Sequence, residues 1–437
     1  MPAAAADSAL YRNLLGDDET ASLFTDSAEV RAMLLVEGML AKVQGELGMI
    51  PLDSALFIER ASREVQIDPA GLAKETATNG VPVPALVSAF RKAMEAPEHA
   101  QYIHWGATSQ DIYETAQALR LRQVVALWDK RLTALIAALG DLAERHADLP
   151  MAARTYGQVA TPTSFGAVVA GWGWPLIRHR ARLADVKAQL ATVSLGGAAG
   201  TLSAMGPEGP AVRAGLAKAL ALNDPGHSWH AERDGIAAFG AVMAGITASL
   251  GKMGADLVIA AQSGIGEVAI AGAGGSSTMP QKQNPVGPSV LVALARQVTA
   301  LSATLQGAAI HQQQRDGAAW FTEWLVLPQM AISTGRALAL AVDLAGRLTP
   351  MADAMAAGLD DGSGLIHAEA YTFALARHMP RPEAQALVKA ACGKAKAGGP
   401  ALGDILAADH PQLDLSAAGG LGEAPAEARA FAQAAKA

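Results

Sequence analysis

From Asp111 to about Ala147 the apolar residues Leu121, Val124, Val125, Trp128, Leu132, Leu135, Ile136, Leu139 and Leu142 mostly recur at intervals of three or four. That spacing puts them on one face of a helix roughly 50 Å long. So long a helix needs others of comparable length beside it. Four more such segments follow: Thr161 to about Val193, Ala231 to Gln262, Pro285 to about Gln312, and Trp320 to Leu348. Glycine-rich or polar loops join them. Five long helices predict a bundle. Several are apolar on more than one face, above all Val286 to Ile310, and a helix apolar all round needs neighbours all round. For helices of this length, that predicts subunits sharing one bundle.

Shorter segments flank the long ones. Glu29 to Leu47 has helical spacing, and "VPVPALVSAFRKAM" places prolines at a helix entrance. After Pro350 come the turn "AAGLDDGSG" and helical segments from Leu365 to Arg377 and Pro380 to Ala397. Alanine, the best helix former, is abundant, and strand-like alternation is scarce. The prediction is an all-α chain in three parts: an N-terminal helical domain (1–105), a central long-helix bundle (106–349) and a small C-terminal helical domain (350–437).

Hydrophobic residues make up 51% of the 437 residues and charged residues 17%, enough apolar material for a sizeable core. A net charge of −7 without a basic block argues against nucleic acid as a partner. Cys392 is the only cysteine, which excludes an intramolecular disulfide and fits a reducing compartment. "MPAAAADSALYRN" lacks a basic stretch followed by an apolar one, so no signal peptide is expected. Apolar runs read as broken by Gly, Lys, Asp or Arg before spanning length, so no membrane segment is expected. Together these lead to the expectation of a cytoplasmic protein.

Three helix entrances carry polar residues suited to an anion. In "AGAGGSSTMPQKQNPVG", Asn284 and Pro285 read as an N-cap acceptor followed by proline at the first helical position. The loop thereby brings Lys282 and Asn284 to a helix N-terminus, where N–H groups and the macrodipole already favour negative charge. In "HWGATSQDIYET", Thr108 or Ser109 caps a helix whose first turn holds Asp111 and Glu114. In "RTYGQVATPTSFG", Thr161 precedes Pro162, with Gln158 just upstream. Each entrance taken alone reads equally as an ordinary cap. The Gly-Gly-Ser-Ser before Lys282 is more than capping requires.

These segments carry a resemblance. "GGSSTMPQKQNP" resembles the signature GSSxMPxKxNP of the fumarase–aspartase superfamily, "HWGATSQD" its histidine–threonine–serine segment and "RTYGQVATP" its RTHxQxATP segment. Order and separation match over nearly the whole chain. Many members place a histidine where this chain has Tyr156 and its glutamate partner where this chain has Ser289. The bacterial 3-carboxy-cis,cis-muconate cycloisomerases also have an aromatic residue at the first position and lack the acid. "IHWGATSQDIYET", "SWHAERD" and "WFTEWLVLPQM" are similar to theirs as well.

What the resemblance implies is chemistry without metal or cofactor, β to a carboxylate. In the cycloisomerases of protocatechuate (β-ketoadipate) catabolism, a carboxylate of 3-carboxymuconate adds across a double bond of the same molecule. Lactone opening reverses this by proton abstraction and carboxylate departure through an aci-carboxylate, which needs pre-placed donors. By resemblance Ser276 is the base, with Ser277 beside it, and closure of the mobile loop delivers it. Lys282 and Asn284 hold one substrate carboxylate; His104, Thr108, Ser109 and Gln158 hold others. Tyr156 is a donor, a shape element or a packing residue. Arg315 and Arg233 are candidate cations for a polycarboxylate substrate, or else pair with Asp316, Glu232 or Asp234 in surface networks. The resemblance further implies a homotetramer whose active sites draw the three segments from three chains.

Other readings stay open. Another β-elimination lyase, such as an adenylosuccinate lyase, would need a phosphate clamp, and no basic cluster for one is visible. A catalytically silent scaffold would not need Ser276, Lys282 and Asn284. His227 and His230 in "HSWH" lack a third ligand at metal-site spacing.

Overall fold

A computed structural model of the chain describes residues 5–275, 278–279, 281–359, 361–412 and 420–437. The principal elements, in chain order, are α1 (Asp26–Glu46), α2 (Leu52–Glu64), α3 (Ser109–Arg145), β1 (Pro150–Thr155), β2 (Gln158–Ser164) and α4 (Phe165–Leu190). They continue with α5 (Asp234–Ala260), β3 (Gly274–Gly275), β4 (Gln283–Asn284), α6 (Val286–Gly307) and α7 (Gly317–Ala345). Shorter helices fill the C-terminal part, the longest being Arg381–Lys396. Four of the five long helices begin within a few residues of where the periodicity puts them, and α4 is the exception.

Close contacts group the residues into two compact units. One comprises Met1–Arg131, His179–Ala248 and Ala293–Ala339; the other comprises Leu132–Arg178, Ser249–Val292 and Leu340–Ala437. This grouping cuts across the division read from the sequence, because each of α3 to α7 gives residues to both units.

In the first unit α1 and α2 form an antiparallel pair, and their closeness is written in glycine. A Cβ at Gly38 would lie 2.1 Å from Ser62 Oγ, and one at Gly45 would lie 2.3 Å from the Ala55 Cβ. Seven residues apart, the two glycines share a face, and α2 lies against it. Thr25 caps α1, its Oγ1 accepting from the Ala28 N–H at 3.2 Å. Met33, Leu40, Ile58, Leu86, Phe90, Ile112, Leu202 and Leu216 pack into one core here.

The second unit carries the β1–β2 hairpin. Its two-residue turn, Tyr156–Gly157, has φ of +53° and +73°, the pattern of a type I′ turn, which matches strand twist. The sequence reading of a helix starting at Thr161–Pro162 is therefore corrected. Both residues lie in β2, Pro162 opposite Ala152, and the helix begins only at Phe165. The capping residue is Ser164, whose Oγ accepts from the Ala167 N–H at 3.1 Å. A smaller core around Leu375, Val388, Leu402 and Leu406 holds the C-terminal helices together.

One further expectation is corrected. α5, α6 and α7 are long and apolar enough to cross a membrane by length and composition. Within the chain, the most apolar windows of α5 and α7 are 56% and 61% buried, as befits bundle helices, but that of α6 is only 33% buried.

Candidate functional site

The first unit builds its polar centre around the entrance of α3. Asp111, fully buried, accepts four hydrogen bonds on two oxygens. The Gly196 N–H (2.7 Å) and His230 Nε2 (2.8 Å) donate to Oδ1, and the N–H groups of Gly197 (2.9 Å) and Thr108 (2.9 Å) to Oδ2. The Thr108 bond is half of a capping box, with Thr108 at the N-cap and Asp111 at the third helical position. Asp111 thereby ties the 104–109 segment to the glycine turn at 196–197. Thr108 and Ser109 are half-buried, and among the described residues their hydroxyls have no partner.

His104 stands just before this entrance with φ +65°, followed by Gly106 at +72°. Its Nδ1 lies 2.7 Å from Glu37 Oε1, a carboxylate on α1 with no exposed side-chain area. Burial works against charge on the imidazole, but the Glu37 carboxylate, joined by that of Asp111, offsets it, and the His104 pKa is raised above the ordinary histidine value. Two turns further along α1, Gln44 donates to the Trp105 carbonyl at 2.7 Å. Sequence reasoning missed Glu37: one acid on an apolar helix face looks like a solvent edge, and its partner is 67 residues away.

Arg315 is held, not loose. Its Nε donates to Gln110 Oε1 at 2.7 Å and its Nη2 to the Ala198 carbonyl at 3.4 Å, so the suggested pairing with Asp316 is not what fixes it. Gln110 is itself buried and donates from Nε2 to Glu114 Oε1 (2.8 Å) and to the His230 carbonyl (2.9 Å). Arg233 is a different case. Its guanidinium is buried between two carboxylates, Glu114 at 2.8 Å and Glu323 at 2.5 Å, with Trp229 over one face. Burial raises the Glu114 pKa despite the arginine beside it. The surface pairing with Glu232 or Asp234 is therefore corrected, and both ends of Arg233 are committed within the core.

His227 and His230 separate. His230 binds Asp111, and His227 lies near the surface beside Glu232, at 3.1 Å. Among the described residues no group of three or more His, Cys, Asp or Glu side chains is placed to hold a metal ion.

In the second unit Tyr156 sits at the hairpin turn, wholly exposed, and Gln158 beside it is also exposed. Arg154 does not present its charge: it grips buried Glu267 with two hydrogen bonds of 2.8 Å each. In the 271–287 loop, β3 and β4 pair Gly274 with Asn284 and Gly275 with Gln283. Asn284 is thus a ladder residue, α6 starts at Val286, and Pro285 takes the cap position, one residue later than the sequence reading has it. Lys282 is exposed, its N–H bonded to the Met279 carbonyl at 3.0 Å. Ser276 and Ser277 lie outside the described residues. Ser289 turns its hydroxyl back to the Pro285 carbonyl at 2.9 Å, so no acid stands at that position.

A model of the lyase family matches residues 16–300, well over half of the chain and inclusive of all three segments. The chain belongs to the fumarase–aspartase lyase superfamily. It is similar to a 3-carboxy-cis,cis-muconate cycloisomerase of Pseudomonas aeruginosa, 39% identical over 86% of this chain and 83% of that one. A nitrosuccinate lyase of Streptomyces davaonensis is 36% identical over 93% of this chain and 88% of its own length. Among solved structures, the 3-carboxy-cis,cis-muconate lactonizing enzyme from Pseudomonas putida superposes with a TM-score of 0.91 at 33% identity, covering 98% of this chain and 100% of that one. The all-α expectation holds at the level of this superfamily fold.

Proposed function

We propose that the chain is a cycloisomerase that interconverts 3-carboxy-cis,cis-muconate and carboxymuconolactone. The observation that carries this reading is the state of the two relay positions. Tyr156 sits exposed at a hairpin turn, and Ser289 hydrogen-bonds its own helix, so no buried histidine–carboxylate relay is built there. Expelling hydroxide or an amine calls for strong general-acid help; a carboxylate leaving group does not. Similarity to cycloisomerases over 86% of the chain supports the same substrate.

In the lactone-opening direction a base removes the proton next to a carboxylate, the C–O bond breaks, and its electrons leave with the departing carboxylate. Ser276 is the proposed base. Lys282 and the N–H groups of its loop would make the alkoxide accessible and stabilise the aci-carboxylate, whose charge develops in the transition state as the alkoxide gives up its own. His104, Thr108, Ser109, Gln158, Asn284 and Arg315 are proposed to hold the substrate carboxylates. A substrate with three carboxylates, met by a chain of net charge −7, needs such local positive potential.

The proposed assembly is a homotetramer with shared active sites, and α6 supports it. Its exposed residues include Ser289 and Ala293 on one side of Arg296 and Gln297 and Ala300, Ala303 and Gly307 on the other, small side chains that let a second helix approach closely at both ends.

The similarity to a nitrosuccinate lyase favours a second reading, β-elimination from a substituted succinate. Ultraviolet absorbance separates the two. Cyclisation removes the conjugated diene of 3-carboxymuconate and lowers its absorbance, whereas elimination from a succinate creates a new conjugated double bond and raises it.

A further inference from the structure

The Glu37 carboxylate is an expensive group to bury. It sits on the core-facing side of α1 among Met33, Leu34 and Leu40, with no exposed side-chain area. One oxygen meets His104 Nδ1; the other, Oε2, has no hydrogen-bond partner. A pair kept for stability alone would be cheaper as two apolar residues, since desolvating a half-satisfied carboxylate costs more than its one bond returns.

Its partner is held as firmly. Arg91 donates to the carbonyls of Ala100 (3.2 Å) and Ile103 (2.9 Å), and Gln44 to that of Trp105, so the backbone is pinned on both sides of His104. His104 itself sits in the left-handed region, a strained place for a non-glycine residue. With Nδ1 engaged by Glu37, the remaining ring nitrogen has no partner among the described residues and is not sealed from solvent. The charged groups acting on the ring are Glu37 from α1 and Asp111 from α3, which favour its cation, and Arg91 from the Val83–Ala93 helix, which opposes it.

We propose that Glu37 is a positioning residue whose buried carboxylate holds His104 as a charged Nε2–H donor for a substrate carboxylate. The proposal rests on the reading that the 104–109 segment receives a polycarboxylate. It assigns a second duty to the apolar helix α1: that helix packs the core and also fixes the charge of a site residue.

Two readouts without turnover test it. In protein carrying ring-labelled histidine, magnetic-resonance titration follows His104, assigned by its loss in His104→Asn. The wild-type ring is expected to titrate above the ordinary histidine value, and the ring in Glu37→Gln about one to two units lower. Calorimetry with propane-1,2,3-tricarboxylate as probe follows binding. Near pH 8, Glu37→Gln is expected to bind roughly tenfold more weakly than wild type, and near pH 5.5, where the ring regains its proton, about equally well. A wild-type His104 that titrates at or below the ordinary value overturns the proposal, with no variant required. So does a loss of equal size at both pH values, which is what damage to the core would give, or a wild type that does not bind the probe. A wild type that binds the probe but leaves 3-carboxymuconate unchanged overturns the substrate reading alone, and the titration still decides the role of Glu37.

Discussion

Asp111 receives four donors on one carboxylate, three of them backbone N–H groups. Replacing one oxygen by an amide, as in Asp111→Asn, turns a donor toward donors. The expected loss is about 2–4 kcal/mol in urea unfolding, from several strained or unmade bonds. Arg233→Met should cost about 3–5 kcal/mol, because Glu114 and Glu323 would then stay buried without a counter-charge. Were either loss under about 1 kcal/mol, the buried network would not be the anchor described here. At this scale the sequence was informative about residues inside local patterns. His104, Thr108 and Ser109 could be read at a helix entrance because capping is a matter of neighbours in the chain. Glu37, Gln110 and the commitment of Arg233 could not, because each depends on partners brought from elsewhere: Glu37 meets a residue 67 positions away, and Gln110 meets one 205 away.

Among the elements, helices were legible and short strands were not. A period of 3.6 sustained over 22 to 37 residues is a strong signal, and the five long helices start within a few residues of where it begins, α4 excepted. α4 was misplaced because "RTYGQVATPTS" holds only a two-strand hairpin, too short for its alternation to stand out, and because Thr-Pro mimics a helix entrance. Pro162 is tolerated there since a two-stranded ribbon consists of edges. The positive φ at Tyr156 makes a direct prediction. Tyr156→Asn suits a type I′ turn better and should leave stability unchanged or raise it by up to about 1 kcal/mol. If Tyr156 also touches substrate, the same variant raises KM without loss of Tm; unchanged kinetics would remove it from the site. On α1, Gly45→Leu should separate α1 from α2 and cost about 1–3 kcal/mol or more, because the Ala55 methyl already occupies the space.

For the whole molecule the question is whether another copy covers α6. Apolar residues on more than one of its faces predicted partner helices, and a window only 33% buried within the chain is consistent with that. We expect light scattering to give four chain masses for the wild type. Ala300→Glu, which puts a charge among the exposed small residues, should give smaller species with helical content retained and activity lost together. A tetramer that survives this change would place the interface elsewhere. Sequence periodicity predicts that a face needs covering but not what covers it, so the proposed assembly was legible only as a demand. The central claim is the chemistry itself, and one experiment tests it most directly: the ultraviolet absorbance of 3-carboxy-cis,cis-muconate mixed with purified protein, beside Ser276→Ala. The account predicts a steady fall with wild type and a rate lower by about a thousandfold or more in the variant, the loss expected when the catalytic base is removed. No fall with wild type, or an equal fall with Ser276→Ala, would contradict it.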